Sequence, residues 1–165
     1  MNLKLQKKIY SSKEFQDIIK PLIENETVQE LKQFKQHLTT TRFEHCYQTA
    51  YYCYEICKKL HLDYVSATRG AMLHDLFLYD WREKTDHKRW HAFTHGKAAC
   101  EKACELFELN EKEKNMICTH MWPVTIAFPK SLEGFILTFV DKFCATKELF
   151  YIFNNFTRIS HSNNI

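Results

Sequence analysis

The chain has 165 residues, of which 45% are apolar and 26% charged, and 23 basic against 20 acidic side chains give a net charge of +3. That composition excludes intrinsic disorder, and a chain near this length buries roughly 68–70% of its unfolded surface, so a single domain over 1–165 is expected. No apolar stretch reaches the roughly 18 residues of a membrane span, and the basic residues form no dense stripe of the kind that nucleic acid demands.

Only three glycines and three prolines occur. The breakers that β-hairpins need are missing, which predicts an all-α fold, a compact helical bundle of about seven or eight helices. In chain order, apolar residues at helical spacing behind cap-like residues predict helices over 12–20 (Ser11 with Glu14), 27–37 (Thr27 with Glu30), 42–60 (Thr41 with Glu44) and 64–78 (Asp63 ahead of Val65). Further helices are expected over 95–108, 111–121 (Asn110 with Glu113), 132–146 (Ser131 ahead of Phe135) and 147–157, and the polar tail 160–165 should fray. Two stretches lose the period, Tyr79 to Thr94 and Trp122 to Lys130, the latter bounded by Pro123 and Pro129. Irregular segments of such length inside a compact domain commonly carry function.

The N-terminus, MNLKLQKKIYSSKEF, has lysines but neither a continuous apolar run nor a small-residue cleavage site, so a cytoplasmic location is expected. The seven cysteines are odd in number and contain no CxxC pair. Cys53 with Cys57 and Cys100 with Cys104 lie four apart in apolar helical patterns, and read as small core-facing thiols of a reducing compartment rather than zinc ligands.

The nine histidines divide by their helical neighbours. His37, His61, His87 and His161 have polar or terminal surroundings and read as solvated. His45 shares a stripe with Tyr52 and Ile56, His74 follows Gly70 and Ala71, His95 precedes Ala98 and Ala99, and His120 follows Met116 and Ile117. Two acids keep similar company: Asp75 behind Ala71 and Met72, and Asp141 on the stripe of Gly134, Leu137 and Thr138. One histidine on an apolar stripe is more often an ordinary hydrogen-bonded core residue. Six inward polar groups from five helices are different, because a buried carboxylate without a cation or metal costs several kcal/mol. The set predicts a common metal centre, and imidazole with carboxylate and no thiolate suits iron, manganese, zinc or a similar divalent ion. His74 and Asp75, about 100° apart on a helix, reach one ion only if it lies between their faces.

These residues, in the order His45, His74-Asp75, His95, His120, Asp141 and embedded in TRFEHCYQTA, GAMLHDLFLYDW, FTHGKAA, ICTHMWP and FVDKFCA, resemble the HD-domain superfamily of metal-dependent phosphohydrolases over about 41–146. His95 and His120 are similar to the additional histidines of the branch that holds two metals, which includes small bacterial enzymes cleaving diadenosine tetraphosphate. The resemblance implies that His45, His74, Asp75 and Asp141 hold one metal and that His95 and His120 hold a second, bridged by the catalytic Asp75. It implies two divalent transition-metal ions, iron first, with manganese, zinc, cobalt or nickel as alternatives. The implied reaction is hydrolysis of a phosphoester or phosphoanhydride in a small phosphorylated molecule, a nucleotide in particular, by metal-activated water. A diiron oxygenase of the same superfamily and a non-catalytic nucleotide- or metal-binding sensor are the alternatives. Many members carry a lysine three residues after the HD aspartate, where this chain has Leu78.

Arg42, three residues ahead of His45, matches an RxxH arrangement seen in relatives; it is expected either to meet a substrate phosphate or to be a surface arginine at a helix start. The stretch after the HD pair interleaves Trp81 and Trp90 with Arg82, Lys84, Lys88, Arg89 and His91. Trp81, Arg82 and His91 are expected to contact substrate, the aromatic face under a base and the cations on phosphates. The other reading is a solvated linker whose tryptophans pack on the core.

Overall fold

The computed structural model describes residues 3–36, 40–80 and 91–162, with the backbone alone at 91, 148–149 and 151–162. Among the described residues are eight α-helices and no strand: α1 (Leu3–Ser11), α2 (Lys13–Ile23), α3 (Glu26–Glu30), α4 (Arg42–Lys59), α5 (Tyr64–Leu73), α6 (His91–Leu106), α7 (Glu111–Thr119) and α8 (Leu132–Ser162). A 3-10 turn, Leu31–Gln33, follows α3. None of these helices is long and apolar enough to cross a membrane.

The local signals set most helix starts. Thr41 and Glu44 close a reciprocal capping box on α4, and Asn110 with Glu113 closes another on α7. Asp63 accepts from the Ser66 amide ahead of α5, and Ser131 Oγ accepts from the Gly134 amide at the start of α8. Each such cap is worth about 1 kcal/mol.

Several expected bounds are corrected. The N-terminal segment forms α1, because Ile9 is fully buried in the core and supplies the tertiary packing that a short helix needs. Helix α2 runs through Pro21 to Ile23, where burial of Leu22 offsets one lost backbone bond in the last turn. The helix expected over 27–37 is capped instead by Asn25 and ends by Gln33, after which the Arg42 amide donates to the Phe34 carbonyl (2.8 Å) and Lys35 pairs with Thr41. The two helices expected beyond 132 are one, since neither glycine nor proline interrupts residues 135–162.

Helix α4 is the central element and packs chiefly on α5 and α8, while α7 packs on α5, α6 and α8. Phe15 of α2 meets Tyr47, Tyr51 and Tyr54 of α4 edge-on or tilted, with ring centroids 5.2–5.6 Å apart. Cys46, Cys53, Cys57, Cys100 and Cys144 are buried free thiols, as small core residues should be, whereas Cys104 is exposed, contrary to expectation. The outcome is a cage of α4, α5, α6, α7 and α8 around a polar centre.

Candidate metal centre

Helix α5 ends at Leu73, five residues before the expected stop at 78. His74 is its C-cap and keeps helical dihedrals (φ −60°, ψ −29°), and the chain then turns so that the Phe77 amide donates to the Asp75 carbonyl. The turn has a cause outside the helix. Arg42 Nη1 donates to the Phe77 carbonyl (2.5 Å) and Nη2 to the Tyr79 carbonyl (3.2 Å), so those carbonyls face α4 instead of a following helical turn. His120 likewise caps α7 (φ −59°, ψ −22°). Both rings fold back: Nδ1 of His74 lies 2.7 Å from the Ala71 carbonyl and Nδ1 of His120 lies 2.8 Å from the Ile117 carbonyl. A carbonyl only accepts, so each Nδ1 carries the proton and each Nε2 is directed elsewhere.

All six expected residues meet. Nε2 of His45, from α4, lies 2.9 Å from Asp141 Oδ1, on α8, and Nε2 of His74 lies 3.4 Å from that same oxygen. On the other side, Nε2 of His95 and Nε2 of His120 approach Asp75 Oδ1 to 3.4 and 3.5 Å and each other to 2.9 Å. His74 joins the halves, with Nε2 3.6 Å from Asp75 Oδ2. Gly96 lets α6 approach α7 this closely, because a Cβ there would stand 3.1 and 3.2 Å from the Cys118 and Ile117 carbonyls and 3.4 Å from the His120 ring.

Two sets have the composition and compactness of a metal site: His45, His74 and Asp141, and His74, Asp75 and His120. Their fit to an ion can be tested on the donors themselves. Ligands about 2.0–2.2 Å from a divalent transition ion stand roughly 2.9 Å apart at right angles and 3.4 Å apart in a tetrahedron, and the donor approaches given above run from 2.9 to 3.6 Å, with each set within 4.8 Å throughout. His74 Nε2 and Asp75 Oδ1, both buried in the centre, have no hydrogen-bond partner among the described residues. An orphaned imidazole nitrogen beside an orphaned carboxylate oxygen is costly without an ion and satisfied with one.

The electrostatics agree. Burial opposes charge on His74, but Asp75, Cys46 and Asp141 outweigh it and hold the imidazole well above the usual histidine pKa. Burial likewise opposes charge on Asp75 and Asp141, and the surrounding histidines outweigh it, holding both carboxyls well below the usual range. Such a cluster is electrostatically tuned to exchange protons for a cation.

Two residues around the centre escaped the sequence reading. Gln36 Nε2 donates to Asp75 Oδ2 (2.6 Å) while its Oε1 accepts from Arg42 Nε (3.2 Å). Lys142 Nζ donates to the His120 carbonyl (3.0 Å), a cation at the C-terminal end of α7. Neither lies on an apolar stripe that marks it, and only the fold brings Gln36 to a residue 39 positions away.

Arg42 is not the surface arginine that one expectation made it. It is fully buried, its guanidinium lies between the rings of Phe77 (3.6 Å) and Phe34 (5.0 Å), and its donors are engaged on Phe77, Tyr79 and Gln36. These bonds shape the turn after Asp75 and steady Gln36. Leu78 packs partly buried against the core. Trp81 and Arg82 lie outside the described residues, as does the side chain of His91, which begins α6 rather than ending a loop at Thr94.

A family model for the HD domain matches residues 42–146, the span that contains all six converging residues. No curated protein and no solved structure matches the chain. The match covers well over half of the sequence, and the chain belongs to the HD domain family.

Proposed function

We propose that the protein is a metal-dependent phosphohydrolase that cleaves a phosphoester or phosphoanhydride bond, with a nucleotide as the substrate class. The observation that carries this reading is the pair of orphaned atoms, His74 Nε2 and Asp75 Oδ1, at the meeting point of six nitrogen and oxygen donors. His45, His74, Asp75 and Asp141 would hold one divalent ion, and His95, His120 and Asp75 the second. Ions held there supply Lewis acidity toward a phosphoryl group and toward the attacking water.

The chain's own residues prepare that chemistry. Asp75 belongs to both halves: Gln36 fixes Oδ2, which leaves Oδ1 toward His95 and His120. The Ala71 and Ile117 carbonyls hold the His74 and His120 tautomers, so both rings present Nε2 without rearrangement. Burial pushes the Cys57 thiol up to about 12 and Cys53 well above the usual thiol range, so neither offers a thiolate nucleophile at neutral pH. Water activated by ions held at the centre would be the nucleophile. Trp81 and Arg82, which lie in the sequence between Asp75 and α6, would choose the part of a substrate that does not react. A diadenosine polyphosphate is one member of the class that fits these expectations.

The test is metal analysis of protein purified without chelators, followed by a phosphate-release screen over nucleotides and phosphoesters with Asp75→Asn as control. Phosphate release that requires metal and Asp75 supports the proposal. Metal-dependent oxygen consumption without phosphate release replaces it with oxygenase chemistry, and tight nucleotide binding without turnover replaces it with a sensor.

A further inference from the structure

Helix α8 has two apolar faces, and the fold uses one. Glu133, Leu137, Val140 and Cys144 are buried in the domain, and Asp141 on the same side meets His45. About a third of a turn round the helix, Leu132, Phe139, Phe143 and Phe150 stand 64, 62, 57 and 64% exposed, with Ile136, which also packs against the core, between them and Phe143 edge-on to Tyr52 of α4. Helices in water rarely keep a second apolar stripe without a partner.

The spacing of the stripe says what kind of partner fits. Leu132, Ile136, Phe139, Phe143, Thr146 and Phe150 are separated by four, three, four, three and four positions. This 3.5-residue repeat is the signature of a helix laid along another helix. The series reads the same in both directions about position 141. An antiparallel copy of α8 on a twofold axis there sets Leu132 against Phe150, Ile136 against Thr146 and Phe139 against Phe143 of the partner subunit, twice over.

Area and charge favour the same occupant. At about 200 Å² for a phenylalanine, each exposed ring offers roughly 120 Å², and the stripe with Phe128 and Leu132 comes to roughly 600 Å² of apolar surface. A standard interface takes about 800 Å² from each partner, which Tyr52, Thr146 and Lys147 at the rim bring within reach. A membrane surface would call for a basic rim, but Lys142 turns inward to the His120 carbonyl and Lys147 lies over the Tyr52 ring. We infer that this outer face of α8 is a homodimer interface, an antiparallel α8–α8 seam backing directly onto the helix face that carries Asp141.

The test is sedimentation velocity on the full chain from about 1 to 100 µM, a range that resolves a micromolar equilibrium. Wild type should sediment at twice the mass of one chain. Phe139→Glu and Phe143→Lys should each weaken dimerisation by about a hundredfold or more, as the loss of a central aromatic contact does. Their far-UV circular dichroism and metal content should not change, because both positions are exposed in one subunit. Mixing the two variants should restore a dimer, because the register sets the introduced opposite charges against each other across the axis. A wild-type monomer throughout the range would overturn the inference, whether or not the protein binds vesicles or another protein. So would a dimer indifferent to both substitutions, or a mixture that stays monomeric.

Discussion

Replacing Arg42 with methionine tests how the turn after Asp75 is built. Methionine keeps much of the side chain's volume but removes the donors to the Phe77 carbonyl, the Tyr79 carbonyl and Gln36 Oε1. A charge-assisted hydrogen bond contributes about 1.5–3 kcal/mol, and the guanidinium between two rings adds about 1 kcal/mol. Tyr79 and Gln36 are only half-buried and recover part of their loss from water, while relief of a buried cation offsets some more, so the net cost should be about 3–5 kcal/mol. That is a large share of the roughly 5–15 kcal/mol that stabilises a domain. Urea denaturation of the metal-free protein, followed by circular dichroism, measures it. Released from Arg42, Gln36 should also orient Asp75 less well, with metal affinity falling about ten- to a hundredfold by calorimetric titration. If Arg42→Met is as stable as wild type within about 0.5 kcal/mol and loses only its affinity for inorganic phosphate, Arg42 is a phosphate ligand after all and the account of the turn is wrong.

Because the pKa of His74 is raised well above the ordinary histidine value, metal must displace its proton at neutral pH. Loading should release protons and tighten as pH rises through the neutral range, measurable by titration calorimetry in buffers of different ionisation enthalpy; a pH-independent affinity would refute it. Glu14 is depressed to about 2 by hydrogen bonds from Lys58, Tyr54 and Tyr64. As a carboxylate with a lowered folded-state pKa, it contributes stability that is present above about 4.5 and lost as pH falls toward 2, so Glu14→Gln should flatten that part of the acid-denaturation curve. Trp81→Ala and Arg82→Ala should each lower kcat/KM for a nucleotide about ten- to a hundredfold while sparing a small aryl phosphate; equal losses on both substrates would assign that segment to support of the metal site.

The helical architecture was legible because caps and apolar spacing are local properties. Thr41 with Glu44 and Asn110 with Glu113 set the starts of α4 and α7 as their sequence pattern indicates. The six converging residues were legible because burying a histidine or aspartate on an apolar stripe needs a reason, and the reason is shared. What escaped depends on tertiary contact. Helix α1 forms because Ile9 finds a core, and α5 stops at Leu73 because Arg42 on another helix claims the carbonyls of Phe77 and Tyr79. Arg42 itself resembles a surface residue in the first turn of a helix. Its burial depends on Phe34 and Phe77, which are distant in sequence from one another. The two extra residues at the centre leave no mark of their own: Gln36 sits among polar residues, and Lys142 is a cation between Asp141 and Phe143 whose partner, the His120 carbonyl, lies on another helix.

Metal stoichiometry in the reconstituted protein bears most directly on the central claim, that one buried cluster holds two ions through a shared Asp75. Inductively coupled plasma mass spectrometry on folded, gel-filtered samples should find two divalent transition-metal ions per wild-type chain. His95→Ala and His120→Ala should each retain one ion, and Asp75→Ala should retain none. Full two-ion occupancy in folded Asp75→Ala, or no bound metal in wild type under any loading condition, would contradict the account.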